Sequence, residues 1–297
     1  MSRSWLAQYP AGVPAEIDPA AWPSLTALIA DCIERWRGKD AFANRGTRMR
    51  YERFDELSAA FAAFLHGKFG LRKGDRLALM MPNLLQYPVA IYGALRASLT
   101  IVNVNPLYSP RELRHQLDDA QASAILLLAD ISPTLGEVLE GSTVRHVLVT
   151  QSGDLLDAGS PAPCTIDPRL HDCIAFSDAL REGAAMKLPE VHLSLEDLAF
   201  LQYTGGTTGV SKGAMLTHGN IVANAMQMQA IFRPRSEPGR EIYITALPLY
   251  HVFGLTVNAI GCLHIGGLNV LITNPRDMPG FVQELRRWPF TFLSGVN

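Results

Sequence analysis

Residues 203–213 read Tyr-Thr-Gly-Gly-Thr-Thr-Gly-Val-Ser-Lys-Gly, directly behind the apolar run 198–203 and ahead of a predicted helix. These residue types in this order suit a polyphosphate. Gly205, Gly206 and Gly209 let the backbone approach an anion closely, Thr204, Thr207 and Thr208 add hydroxyl donors, and Lys212 brings a mobile point charge. Two familiar phosphate patterns are not met. Lys212 follows Ser211 and precedes Gly213, which breaks G-x-x-x-x-G-K-[ST]. Gly205 and Gly206 are adjacent with the next glycine at 209, which breaks G-x-G-x-x-G. The bland alternative is a flexible surface connection. The segment Met215-Leu216-Thr217-His218-Gly219-Asn220 weighs against it, because Thr217 is a good N-cap for a helix with Ile221, Ala225 and Met228 on one face. His218 at that helix start reads as shaping the loop exit.

The elements that must position this loop alternate along the chain. Strands are predicted at 76–81, 100–105, 124–128 and 144–150. Helices are predicted at 53–69, with Leu57, Phe61, Phe64 and Leu65 on one face, at 84–97 and at 110–120. Such alternation predicts an α/β fold of layered parallel or mixed sheets flanked by helices. Residues 151–191 are richer in Pro, Gly and Asp and read as a connection with one short helix. The division expected is a first α/β subdomain over 1–190 and the start of a second over 191–297. Between Ile242 and Pro275 there is no Asp, Glu, Lys or Arg, long enough to span a bilayer. Pro248 and Gly266-Gly267 punctuate that stretch, so it reads instead as strand 242–247, helix 252–264 and strand 269–273. After Pro279, the residues Phe281, Val282, Leu285 and Trp288 fall on one helical face and read as core.

Composition narrows the function classes. With 297 residues the chain can bury one large core or two smaller ones, at roughly 100–200 residues per domain. Basic and acidic residues number 26 and 28, so no global field attracts nucleic acid or anionic lipid. Residues 1–20 hold no continuous apolar stretch of the secretory type. Cys32, Cys164, Cys173 and Cys262 lack the paired spacing of a structural zinc site and read as reduced thiols of a cytoplasmic protein. Cys164 with His171 and Cys173 is the one arrangement that could ligate a metal, and the prolines around it favour an irregular loop.

The loop 203–213 together with Leu216-Thr217-His218-x-Asn220 resembles the signature phosphate loop of the adenylate-forming, AMP-binding enzymes. Asn103-Val104-Asn105-Pro106-Leu107-Tyr108, Pro110-Arg111-Glu112-Leu113, Pro248-Leu249-Tyr250-His251-Val252-Phe253 and Asn274-Pro275-Arg276-Asp277 are similar to the bacterial long-chain fatty acid CoA ligases within that superfamily. The likeness runs from about residue 23 to the end. One departure is Ser98, where many relatives carry glycine in a structural turn.

The resemblance implies fold, activity and site together. The fold would be part of the large N-terminal domain of the adenylate-forming enzymes. The activity would be ATP-dependent adenylation of a fatty acid followed by thioester formation with CoA, with ATP and Mg²⁺ required and CoA as cosubstrate. Thr204, Gly205, Gly206, Thr207, Thr208, Gly209 and Lys212 would hold the β- and γ-phosphates, with Thr204 a magnesium contact. His251 would sit beside the acyl carboxylate or adenylate, for orientation and charge stabilisation; read without its neighbours it is a core histidine satisfied by backbone. Tyr250 and Phe253 would be packing residues, and the charge-free stretch would line the acyl tunnel. Long-chain relatives are often homodimers that touch the inner membrane peripherally. Residues 290–296 read as a buried strand with nothing after it but Asn297, so the chain is expected to be a truncated fragment, inactive in ligation alone and without the mobile C-terminal domain. Two alternatives stay open: an adenylating enzyme for an aryl, medium-chain or amino acid, and a noncatalytic nucleotide-binding fragment.

Overall fold

The computed structural model of the chain describes residues 3–158, 164–204 and 211–296. Helix α1 (Leu25–Trp36) starts on Ser24, whose hydroxyl accepts from the Ala27 amide. A hairpin follows, β1 (Asp40–Asn44) and β2 (Thr47–Arg50), then α2 (Tyr51–Gly67), β3 (Arg76–Met80), α3 (Gln86–Arg96), β4 (Thr100–Asn103), α4 (Pro110–Ala120) and β5 (Ala124–Leu128). Next come α5 (Ser132–Gly136), β6 (His146–Thr150), β7 (Ile174–Ala175), α6 (Phe176–Gly183), β8 (Leu198–Thr204), β9 (Lys212–Thr217) and α7 (His218–Phe232). The remainder is β10 (Ile242–Thr245), a π-helical stretch Gly254–Ile260 running into α8 (Gly261–Ile265), then β11 (Leu268–Leu271), α9 (Met278–Arg287) and β12 (Phe292–Leu293).

The strands form two sheets. One runs β7-β6-β5-β3-β4-β8-β9 and is parallel except for β9; the other runs β12-β10-β11-β1-β2 and is parallel except for β2. The layered α/β architecture matches the expectation from the alternating pattern. Strand β5, Ala-Ile-Leu-Leu-Leu, is buried throughout, as a parallel sheet covered on both faces requires. Leu77, Leu126 and Leu148 face a large core with Phe61, Phe64 and Tyr87 of α2 and α3, while Ala78, Ile125 and Leu127 face Leu113 and Leu117 of α4. That large core also holds Phe42 of β1 and Leu271 of β11, so α1, α2 and α3 lie between residues of both sheets. Sheet membership cuts across the division at residue 190: β8 and β9 complete the sheet of β3 to β7, and β1 and β2 lie with β10 to β12.

The stretch 242–275 is strand, helix, strand as read from its punctuation, and no helix among the described residues is long and apolar enough to cross a membrane. Three expectations are corrected. Lys212 does not lie inside a loop but opens β9, a strand whose Lys-Gly-Ala-Met-Leu-Thr holds no fully buried residue and lacks the alternating apolar pattern. Val282 is exposed while Phe281, Leu285 and Trp288 pack on the sheet, because α9 buries a narrower stripe than the four residues suggest. Residues 290–296 hold only the two-residue β12 at a sheet edge, with Leu293 and Val296 exposed.

Three local features support the frame. Asn83, in the turn after β3, donates to the carbonyls of Thr245 and Leu247 at 3.1 and 2.9 Å and accepts from the Leu249 amide at 2.9 Å, tying the first sheet to the end of β10. Ser98 sits at φ 61°, in the left-handed region, with its hydroxyl buried and unpartnered; glycine would relieve both defects. His218 is buried at the first position of α7, its Nδ1 accepting from the Leu25 amide at 3.2 Å. The reading of His218 as a residue near the loop exit thus becomes a buried contact between α7 and α1.

These features carry three stability predictions, each measured by denaturant unfolding. Asn83→Ala strands buried backbone groups and should cost about 2–4 kcal/mol; a loss under about 0.5 kcal/mol would show the tie is not used. Ser98→Gly should stabilise by about 1 kcal/mol, since release of left-handed strain outweighs the added freedom of the unfolded chain. Burial holds the His218 imidazole down at about 4, with Asp197 opposing and Lys73 assisting. Below pH 6.5 the unfolded chain binds a proton that the folded ring refuses, so stability is complete above that pH. It should fall by about 3 kcal/mol towards pH 4. His264, held near 4 chiefly by burial, acts in the same direction. A His218→Gln variant whose profile between pH 7 and 4 matched the wild type would remove this assignment.

Candidate active site

Open α/β sheets bind ligands in the crevice beyond the carboxyl ends of their strands. Here the turns after β3, β4, β10 and β11 converge on a cavity of about 240 Å³, lined by Asn83, Leu107, Pro248, Tyr250, Thr273 and Arg276 among others. The stems of the glycine-rich segment belong to the same end of the seven-stranded sheet, because β8 lies beside β4. Thr204 ends β8, Lys212 begins β9, and the two pair directly across the antiparallel ladder. Both are exposed. Gly205, Gly206, Thr207, Thr208 and Gly209 lie outside the described residues.

The Pro248 to His251 segment is fastened to β8 by one side chain. Gln202 donates from Nε2 to the Tyr250 carbonyl at 2.7 Å and accepts at Oε1 from Asn103 Nδ2 at 3.1 Å. Asn103 in turn accepts from the Tyr87 hydroxyl at 2.8 Å, and its carbonyl accepts from Gln116 at 2.8 Å. Gln202, Asn103, Tyr87 and Gln116 are all buried. Gln202 and Thr204 share a strand face two residues apart, so this relay ties the His251 segment to the Thr204–Lys212 rim. His251 is exposed, its ring 5.1 Å from that of Tyr250, which excludes the reading of a core histidine satisfied by backbone. Phe253 is exposed as well and is not a packing residue among the described residues, whereas Tyr250 is partly buried against the large core.

Behind the rim the chain is buried and uncharged. Gly254 stands where a Cβ would lie 2.3 Å from the Pro248 carbonyl, so glycine is required for the helical stretch to start that close to the turn. The π-helical turns that follow are buried, and their one amide side chain is bonded at both its nitrogen and its oxygen. Asn258 donates to Thr245 Oγ1 at 3.2 Å, accepts from Ser294 at 2.8 Å, and its carbonyl accepts from Asn269 at 2.8 Å. A π stretch places its side chains out of α register, a feature found often at functional sites.

The charges at the mouth are cationic. Lys212 stands on the rim and Arg276 lines the cavity; burial raises the Tyr250 phenol above its ordinary range, and the Arg276 guanidinium partly offsets that rise. Thr204 presents a hydroxyl at an exposed strand end, which fits one oxygen ligand of a magnesium ion that keeps water and phosphate oxygens as its others. No group of three or more His, Cys, Asp or Glu among the described residues is arranged to hold a metal.

Reading the sequence alone picked out Thr204, Lys212 and His251 but missed Asn83, Gln202 and Arg276. A polar residue inside the apolar run 198–203 was the available signal for Gln202. Arg276 lay in a quoted motif without a role, and Asn83 had no local signal beyond its place after Pro82.

Comparison with known proteins agrees with this geometry. Residues 29–297 match the AMP-binding enzyme family. The long-chain-fatty-acid--CoA ligase of Salmonella typhimurium is 50% identical over 307 aligned residues, covering 100% of this chain and 55% of that protein. The Bacillus subtilis protein of the same name is 35% identical, covering 86% of this chain and 47% of its own length. A long-chain-fatty-acid-CoA ligase from Archaeoglobus fulgidus superposes with a TM-score of 0.78 at 24% identity, over 96% of this chain and 54% of that one, which shows the shared fold. The chain therefore spans about half the length of the curated relatives it matches, and by the family match over residues 29–297 it belongs to the AMP-binding enzymes.

Proposed function

We propose that this chain forms the ATP-handling part of a long-chain fatty acid CoA ligase. The observation that carries the reading is the pairing of Thr204 with Lys212 at the carboxyl end of the sheet, where a glycine and threonine segment joins them. A carboxylate resists attack by a thiol because its charge repels nucleophiles and oxide is a poor leaving group. In the proposed reaction a carboxylate oxygen of the fatty acid attacks the α-phosphorus of ATP and the bond to pyrophosphate breaks. The acyl adenylate that results is a mixed anhydride; the CoA sulfur then attacks the acyl carbon and AMP leaves with the bonding pair.

The protein's part in the first step is positioning and charge neutralisation. Negative charge grows on the departing pyrophosphate, and Lys212 with the threonine hydroxyls would stabilise it. Magnesium, when bound, would neutralise further phosphate charge, with the Thr204 hydroxyl as its protein ligand. His251, exposed on the rim beside Tyr250, would orient the carboxylate and stabilise charge there. The buried, charge-free helix behind it suits an alkyl chain, which would lose energy beside an unpaired charge.

Pyrophosphate exchange into ATP, measured on the protein carrying this chain across long-chain, medium-chain, aryl and amino acids, tests the reading. Exchange should depend on long-chain fatty acids, and Lys212→Ala should lower it about a hundredfold with the circular dichroism spectrum unchanged. Exchange driven by aryl or amino acids would replace the substrate class. Exchange indifferent to Lys212 would remove the site.

A further inference from the structure

Both stems of the glycine-rich segment are held by one helix that lies outside it, α4. On the incoming stem, the Tyr203 hydroxyl donates to Asp119 Oδ2. On the outgoing stem, His115 Nε2 lies 3.1 Å from the Ser211 carbonyl; a carbonyl only accepts, so Nε2 carries the proton. His115 and Asp119 are four residues apart and share a helix face. Between the stems, Gly213 pairs with Tyr203 in the ladder, and a Cβ at Gly213 would lie 2.9 Å from the tyrosine ring. The ring therefore occupies the space that any side chain at Gly213 would need, with its hydroxyl aimed at Asp119.

The helix is a firm anchor. Its first turn carries a complete capping box, with Glu112 accepting from the Ser109 amide at 2.8 Å and Pro110 at the first helical position. Leu113 and Leu117 are buried against the sheet, and Gln116 donates to the Asn103 carbonyl of β4. Contacts to α4 thus refer both stems to the same rigid sheet that carries the Gln202 relay.

We propose that His115 and Asp119 are positioning residues for polyphosphate binding, acting through Ser211 and Tyr203 to fix the separation and direction of the two stems. The inference rests on the reading that residues 203–213 bind the phosphates of ATP. It gives Tyr203 and Gly213 a role through residues that the segment itself does not contain.

Calorimetric titration with ATP and with fatty acid, melting temperature, and amide hydrogen exchange test it on His115→Leu, His115→Gln, Asp119→Ala, Asp119→Asn and Lys212→Ala. The Leu and Ala variants should weaken ATP about tenfold, the worth of one well-placed hydrogen bond, and leave fatty acid binding and melting temperature unchanged. Gln keeps a donor and Asn keeps an acceptor, so both should restore ATP affinity. Without ligand, exchange of the amides from Ser211 to Gly213 should accelerate in the Leu and Ala variants alone. If Lys212→Ala weakens ATP while His115→Leu and Asp119→Ala do not, the positioning role is overturned and the phosphate reading stands. Where ATP binding is absent or indifferent to Lys212, the phosphate reading fails, and the proposal falls with it even if exchange still reports a clamp. A drop in melting temperature that Gln and Asn do not rescue would make the two residues structural only.

Discussion

Two sheets that share no ladder hydrogen bond meet at this site, and primary amides hold them in register. A carboxamide donates from one atom and accepts at another without carrying charge, so it can bridge two segments. Asn83 uses both functions to fix the Pro248 turn, and Gln202 uses both to join Asn103 to the Tyr250 carbonyl. A carboxylate in either place could not donate, and a lysine could not accept. Buried charge would also have to be neutralised or paired at a cost of several kcal/mol, about the whole margin of a domain. The position of His251 relative to Thr204 and Lys212 depends on these uncharged links.

How far the site could be read from residues alone follows from which forces are local. Helix α4 was legible with the bounds Pro110–Ala120 because Ser109, Pro110 and Glu112 write a capping box, and β5 because five apolar residues stand between turns. Strand β9 was not legible. Its pairing with β8 is long-range relative to its own composition, and an edge strand with exposed side chains has no alternating pattern to show. Leu293 and Val296 failed for the opposite reason: they are apolar, but β12 pairs on one side only and nothing among the described residues covers them. Lys212 and Thr204 stand out in the sequence by type, one by charge and the other by hydroxyl, while the residues that hold their surroundings in place do not. Gln202, Asn83 and His115 act on backbone atoms of segments 48, 166 and 96 residues away, separations at which no sequence period survives.

The uncharged stretch from β10 to β11 illustrates how a buried wall can remain polar enough to be specific. Thr245, Asn258, Asn269 and Ser294 satisfy one another there, with a 2.6 Å bond from Thr245 to Asn269 at the centre. Each partner is buried, so loss of one would orphan the others. The network holds a π-helical stretch against the sheet at the one place where Gly254 lets the backbone turn closely past Pro248. Apolar packing alone would leave the rotational setting of that helix free among several similar fits; directional bonds select one.

A phosphate loop raises the same problem in a harsher form. Glycine and threonine give a backbone that can wrap an anion, and the same composition makes that backbone expensive to order, at roughly 1–2 kcal/mol per residue. Fixing the two ends shortens the set of conformations that binding must then exclude, without adding a contact to the ligand. The ladder from Leu198–Thr217 to Thr204–Lys212 sets the spacing of the ends, and the bonds from α4 set their direction. Gly213 belongs to this device as much as to the loop, since its missing side chain is what lets Tyr203 lie flat across the ladder with its hydroxyl turned to Asp119. Burial, and then Asp119 itself, push the Tyr203 phenol well above its ordinary range, so it stays a donor throughout the neutral region. The described stems, Tyr203–Thr204 and Ser211–Gly213, are thus held at their base by the ladder and by hydrogen bonds to α4, with Lys212 exposed beside them.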